Sequence, residues 1–452
     1  MGRDRVRPFK FFLLFVLLPL LLGPSCRPNP HGAKTSTLVS PSNFTATAIS
    51  TARIDLSWSS APLDATEIEI EESTDGVTFT LIATIPASQT TYSVTGLASS
   101  TRYFFRIRSI NATAQGPYSP LVSANTIIVS AATPSGGPPS ARMFHSVIYD
   151  PTTQHAYFFG GLTATGVTNE LWMLDLSGVT PAWSQPTTSG TAPLARMAHS
   201  AILDIPNHRM LVFGGTDGTV GGYFGDVHQL VLSASPPAWS VPTIAGLNVP
   251  SPRAGNSAIY DALYQRMILF DGNDDVGPFD EVWSLDLSGG TPSWNQFTLT
   301  DPPFRSNHTA VYDATNQQMI VFGGQDTTPG PVFNDVWALS LPDPAGATSP
   351  AWTPFTLTGG PSPRWGHSAV LNGLKMMVFG GYTGTASPEL WQLNVATSTT
   401  SSWVPVVLGT PAPAARLGHA AFFQGTPTMM FLFGGGTNPT TPAFNDLWQF
   451  GM

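Results

Sequence analysis

Lysine is almost missing from this chain of 452 residues, occurring only at Lys10, Lys34 and Lys375. Charged residues of every kind make up 10%, and the net charge is −9; an ordinary globular chain carries about a quarter. With no surplus of cations to neutralise phosphates, a nucleic-acid partner is excluded. Cysteine occurs once, at Cys26, which excludes an internal disulfide framework and a multi-cysteine metal site. No HExxH, P-loop, nucleophile elbow or dinucleotide fingerprint is present, and nothing in the sequence calls for a cofactor. What is plentiful is glycine (43), proline (42), phenylalanine (27) and tryptophan (12). Glycine and proline together stay below the roughly 25–30% that marks unperiodic disordered sequence. The 42% hydrophobic content can fill large cores, and the length suggests two to four domains.

The one long apolar run, Phe11 to Leu22, has 12 residues, short of the roughly 20 that a bilayer core requires. Arg3, Arg5, Arg7 and Lys10 precede it, and Gly23-Pro24-Ser25 follow it. This is the layout of a secretory signal over residues 1–25. Cys26 at its end resembles the lipidated cysteine of a bacterial lipoprotein, although Gly23 stands where such signals usually carry Leu. The resemblance implies an acylated Cys26 and an exported protein held at the cell envelope, on the outer membrane or cell surface, by its lipid alone. The other reading is ordinary cleavage near Ser25, leaving a free thiol. Residues 26–38 are Pro-rich and polar and are expected to be a tether.

Over residues 39–126, Ile54 to Trp58, Thr66 to Ile70 and Tyr103 to Ile107 alternate apolar with polar. Period two means one buried and one wet face, so these are strands of a sandwich with Trp58 in its core. Gly96-Leu97, the run Tyr103 to Arg108 with Asn111, Asn43 to Ala46 and Tyr118-Ser119-Pro120 resemble a fibronectin type III domain and its tyrosine corner. Such domains mostly serve as spacers or adhesive modules. Ser73 to Phe79 superficially resembles a sialidase Asp-box, but Asp75-Gly76 reads more simply as a hairpin turn.

The remainder is one unit written six times. Each copy opens on an arginine: Arg142, Arg196, Arg253, Arg305, Arg364 and Arg416, spaced 54, 57, 52, 59 and 52 residues apart. A histidine follows three places on in five copies (His145, His199, His308, His367, His419), and Asn256 in the third. Next comes an apolar run ending in Gly-Gly, as in Tyr157 to Gly161, with Asp271-Gly272 in copy three. An acid then precedes an apolar residue and usually Trp: Glu170, Asp226, Glu281, Asp335, Glu389 and Asp446. Trp183, Trp239, Trp294, Trp352 and Trp403 lead an outer segment. A period near 50 with four short strands per unit signals a propeller, and the motifs resemble kelch repeats. The expected fold is therefore all-β: a fibronectin type III sandwich followed by a six-bladed kelch propeller over residues 127–452. Copy six stops before an outer strand. Counting 13 back from Arg142 reaches Val129, so residues 127–132 are expected to close the last blade.

Strand alternation puts the six arginines, the Gly pairs and the six acids at one rim. Each Arg is expected to pair with an acid or with loop carbonyls. The functional alternative is an Arg-lined entrance for an anionic ligand or acidic peptide, with Trp365, a singular aromatic residue, stacking on a sugar or covering the rim. The repeat histidines lie too far apart to share a metal ion. Galactose oxidase, a kelch-type copper enzyme, crosslinks Tyr to Cys, and the only cysteine here lies outside the repeats. Asp271, Asp274 and Asp275 are a calcium candidate by their carboxylates, against a plain solvated acidic loop. Low charge and loops rich in Thr, Ser, Asn and Gly suit an adhesive module. The leading expectation is thus an envelope binding protein for a protein or a glycan. The alternative is a carbohydrate-active enzyme resembling the kelch-type sialic acid mutarotases.

Overall fold

The computed structural model describes residues 38–99, 101–299, 302–326, 330–344, 349–395, 400–426 and 428–451, without the Thr400 side chain. Cys26, the secretory signal and all of the tether but Leu38 lie outside the described residues. All regular structure among the described residues is β, and none of it is a helix long and apolar enough to cross a membrane.

The N-terminal strands form two sheets. Thr45–Ser50, Arg53–Ser57 and Thr91–Thr95 make one. Thr80–Pro86, Glu67–Ser73 and Arg102–Asn111 make the frame of the other, with the short strands Ala114–Gln115 and Val122–Asn125 paired to Arg102–Asn111. Alternation does what period two requires: Ile54, Leu56, Ile68, Ile70, Phe105 and Ile107 are sealed between the sheets with Trp58 and Tyr103. The Ala98 amide donates to the Tyr103 hydroxyl at 2.9 Å, which ties the corner ahead of that strand. Ser73 and Asp75 are occupied in their own turn, Asp75 Oδ1 accepting from the Val77 and Thr78 amides, as a hairpin requires.

Six antiparallel sheets of four main strands follow, the first five each built from one repeat and the sixth from three strands of the last repeat and one from before the first. The fourth runs through Thr309–Asp313, Gln318–Phe322, Val336–Ser340 and Trp352–Pro354 in spatial order. Its second strand is sealed on both faces, with Met319, Ile320, Val321 and Phe322 at 0% exposure. This is the burial that a continuous apolar run demands when sheets stack face to face. The first strands of successive sheets are neighbours in cyclic order, and that of sheet six, Ala420–Gln424, lies beside that of sheet one, Ser146–Asp150. Sheet six takes its fourth strand from before the repeats: Ile128–Ala132 pairs antiparallel with Leu447–Gly451, with Val129 opposite Phe450. The sandwich seats against sheets five and six. Ala48 packs into the core that holds Ile127, Met377, Val406 and Phe450, and the Ile127 amide donates to the Ser50 carbonyl.

Candidate functional site

The rim where first strands begin and second strands end is built from three repeated sets of bonds. The first is the arginine set. All six guanidinium groups have 0% exposure. Each donates from Nε to the carbonyl two residues before it, such as Pro303 for Arg305, and from Nη1 to the carbonyl of the first residue of the Gly pair, such as Gly323. The remaining donors meet the acid. Where the acid is Asp, both Nη groups reach it: Arg305 donates to Asp335 at 2.7 and 3.0 Å, and Arg196 and Arg416 do the same to Asp226 and Asp446. Where it is Glu, only Nη2 reaches it, as from Arg142 to Glu170, Arg253 to Glu281 and Arg364 to Glu389. Phe224, Phe279, Phe333 and Phe444, each two residues before its acid, lie under Arg196, Arg253, Arg305 and Arg416. Burial alone would raise the carboxyls of Asp226, Asp335, Asp446, Glu170 and Glu389, but the bond from His228 at Asp226, the arginine bonds and charge at all five, and the tryptophan bonds at the other four outweigh it and hold them below their ordinary range.

The second set is the histidines. Nε2 of His199, His308, His367 and His419 bonds the hydroxyl of Ser146, Ser257, Thr309 and Ser368 in the preceding sheet at 2.7–2.8 Å. Asn256 takes the same place by donating to Ser200 at 2.8 Å. The sixth junction is different: Ala420 stands where the hydroxyl should be, and both ring nitrogens of buried His145 are without a partner. Burial, reinforced by the neighbouring arginine, depresses all five rings, His199 and His367 to about 3.

The third set is a belt of peptide groups. The amides of Ala198, Gly255, Asn307, Gly366, Gly418 and Phe144 each donate to the carbonyl of the corresponding residue one copy earlier, Phe144 receiving its partner from Gly418. Each of the six has positive φ, between 53° and 66°. Phe144, Ala198 and Asn307 hold that conformation at some cost. A parallel set runs from the second glycine of each pair to the next arginine's carbonyl, from Gly161 to Arg196 and on to Gly435 and Arg142. A Cβ on Gly161 would stand 2.8 Å from the Cβ of His145 and from the Met143 carbonyl, so glycine is needed there.

This geometry revises two expectations. Arg142, Arg196, Arg253, Arg305, Arg364 and Arg416 do not line an entrance, because their guanidinium groups are sealed and their donors occupied. The groups facing solvent above them are the half-exposed carboxylates of Glu170, Asp226, Asp335, Glu389 and Asp446. The calcium candidate also separates. Asp271 is fully buried at the first Gly position with φ 51°. Its carboxylate accepts from the Arg305 and Glu281 amides, and burial raises its pKa well above the usual range. Asp274 caps the Val276 and Gly277 amides, and Asp275 accepts from Gly221 in the neighbouring sheet's loop. Neighbours in sequence thus point three ways, and among the described residues no group of three such side chains could hold a metal ion.

Trp365 is half-buried on the rim, its ring centroid 5.3 Å from that of Tyr382, with a two-way backbone bridge between them. Sequence reasoning missed Tyr382. Its signal is positional: it follows the Gly pair directly, where the other copies carry Leu162, Thr216, Asn273, Gln325 and Gly436. Beside this pair are Asn307 and Gln325; on the far side, Phe144, Leu162 and Met197 are apolar.

Comparison with known proteins agrees with this repeat architecture. The model of the KLHDC2/KLHL20/DRC7 Kelch-repeats domain matches residues 120–300 and 263–452, and that of the fibronectin type III domain matches residues 39–125. Adagio protein 3 of Arabidopsis thaliana is 31% identical over 52% of this chain and 38% of its own length. Kelch domain-containing protein 3 of Bos taurus is 30% identical over 56% of this chain and 63% of its own. The chain thus spans less than two thirds of these relatives. The solved structure of FN3tt aligns with 20% of this chain and 97% of its own, at 26% identity and a TM-score of 0.19.

Proposed function

Because the chain belongs to the KLHDC2/KLHL20/DRC7 Kelch-repeats domain family and carries a fibronectin type III domain, we propose that it is an exported binding protein. In this reading the six sheets are the blades of a closed six-bladed propeller, and its rim recognises a protein or a glycan. The uninterrupted cycle of interblade amide bonds supports closure. One observation carries the functional reading. On a face where every repeated cation is already occupied, the Trp365–Tyr382 pair beside Asn307 and Gln325 is left to discriminate among ligands. Aromatic rings with amides at their edge supply contact area at small entropic cost and direct hydrogen bonds, which is the composition of recognition surfaces.

The test compares wild type with Trp365→Ala in pull-downs from envelope extract and on a glycan array. The expected result is loss of the retained partner at unchanged melting temperature. Equal retention by the variant overturns the assignment of the face, and turnover of a sugar by the wild type would move the protein to the enzymatic alternative. Acylation at Cys26 is the proposed means of attachment. A Cys26→Ser variant should then leave the detergent phase for the aqueous one, and unchanged partitioning would remove the anchor from the proposal.

A further inference from the structure

At the opposite ends of the strands from this rim, a groove of about 750 Å³ opens between sheets three and four. It arises where two departures from the repeat coincide. Between the third and fourth strands copy four has 11 residues of sequence, 341–351, against six in each of the first three copies, 176–181, 232–237 and 287–292. Pro342, Pro344 and Pro350 form one wall. The second departure is on the third strand of sheet three. At the same position Gln229 and Gln449 donate to Ser240 and Ser130 on the strand beside them, and the space that Gln449 lines is only about half as large, about 380 Å³. Here the position holds short Ser284, paired in register with exposed Asn295, so the surface stays open.

Tyr264 and Phe297 line the groove, together with Ser284, Ser288, Asp286 and Asn295. Arg266 is not free to attract an anion. Its side chain is 5% exposed, with Nε on Asp261, Nη2 on the Pro342 carbonyl, and the Tyr264 ring 5.0 Å away. The groove thus offers two aromatic rings, several hydroxyl, amide and carboxylate groups, and no available cation among its described residues. Aromatic faces suit the C–H face of a pyranose. Serine and asparagine donate and accept at once, which is what a hydroxyl requires of its partner. The Asp286 carboxylate disfavours an anion. The volume lies in the range of small-ligand sites.

We infer that this groove is a second binding site, for a neutral oligosaccharide. It is independent of the rim, so either assignment can fail without the other. The experiment titrates the full chain by calorimetry with neutral oligosaccharides (cello-, laminari-, malto-, xylo- and mannotriose) and with trigalacturonate as the anionic probe. At least one neutral triose should bind, trigalacturonate should not, and Tyr264→Ala should weaken binding tenfold or more. Ser284→Gln should place a longer side chain in the groove and narrow it, weakening binding tenfold or more at unchanged melting temperature. It serves as the second variant should Tyr264→Ala fold poorly. Failure of every neutral triose to bind, preference for trigalacturonate, or wild-type affinity in Ser284→Gln would overturn the inference.

Discussion

The sandwich and the six kelch-repeat sheets, which form the ring in the proposal above, hold arginine in opposite ways. In the sandwich, Arg53 meets Asp55 with 44% and 33% of the two side chains exposed, and Arg106 meets Glu71 on a half-wet sheet face. In the ring, six arginines are wholly sealed and each is bonded to backbone as well as to its acid. The sandwich also has no histidine, whereas the repeat sheets bury six, and burial depresses the five that follow the repeat arginines. The same residue types are therefore accessory in one domain and structural in the other. Depth and the number of bonds made, rather than the presence of an ion pair, decide which role a charge plays.

Acid should separate the two domains most sharply. Each of the five repeat histidines, His145, His199, His308, His367 and His419, has its folded-state pKa pushed below the unfolded value of about 6.5. Between those two values the unfolded chain binds more protons, so stability is full above pH 6.5 and falls as pH drops, by roughly 1.4 kcal/mol per unit for each ring. Five such rings exert a pull comparable with the whole stability of an ordinary domain within a unit or two. Calorimetry from pH 7 to pH 5 should show the large transition of the ring moving down steeply while that of the sandwich stays. A common shift of both would break the comparison. The carboxylates of Glu170, Asp226, Asp335, Glu389 and Asp446, whose pKa values are depressed, add a further loss only below about pH 4.

Next in size is Arg305→Ala, which leaves Asp335 unpaired and a buried space beneath Phe333. It should cost about 3–5 kcal/mol in urea unfolding of the ring. An unchanged midpoint would return that arginine to a ligand-binding role. Ala420→Ser would give His145 Nε2 the hydroxyl that four other histidines have, and should raise the stability of the ring by about 1 kcal/mol. No gain would mean that the sixth junction satisfies His145 in another way. Smallest is Arg53→Ala, expected to cost under about 1 kcal/mol and to fade in high salt. A large loss there would erase the contrast between the domains.

Much of this frame was readable because repetition writes each contact six times. The arginine and its acid recur at fixed places, and strand alternation brings them to one rim, so their pairing followed from spacing. The count back from Arg142 lands on Val129, which faces Phe450. The hydroxyl belt was also on the page, as Ser or Thr directly after His or Asn in five copies, with Ala420 as the exception. The singular features were harder. Whether Asp271, Asp274 and Asp275 converge depends on turn geometry, and the turn divides them. The Tyr382 partner of Trp365 depends on a bridge between two loops, and the groove on a missing glutamine combined with a longer turn in the next copy. Such features are set by relations between copies rather than by any one run of residues.

The strand Ile128–Ala132 finds its mate near the far end of the chain; Gln449 reaches Ser130 across 319 positions. During synthesis that strand emerges hundreds of residues before its partner, with a bare edge of the kind that recruits other chains. That edge stays unpaired until the last repeat arrives. A brake on premature assembly is thus built into the order in which the molecule is made.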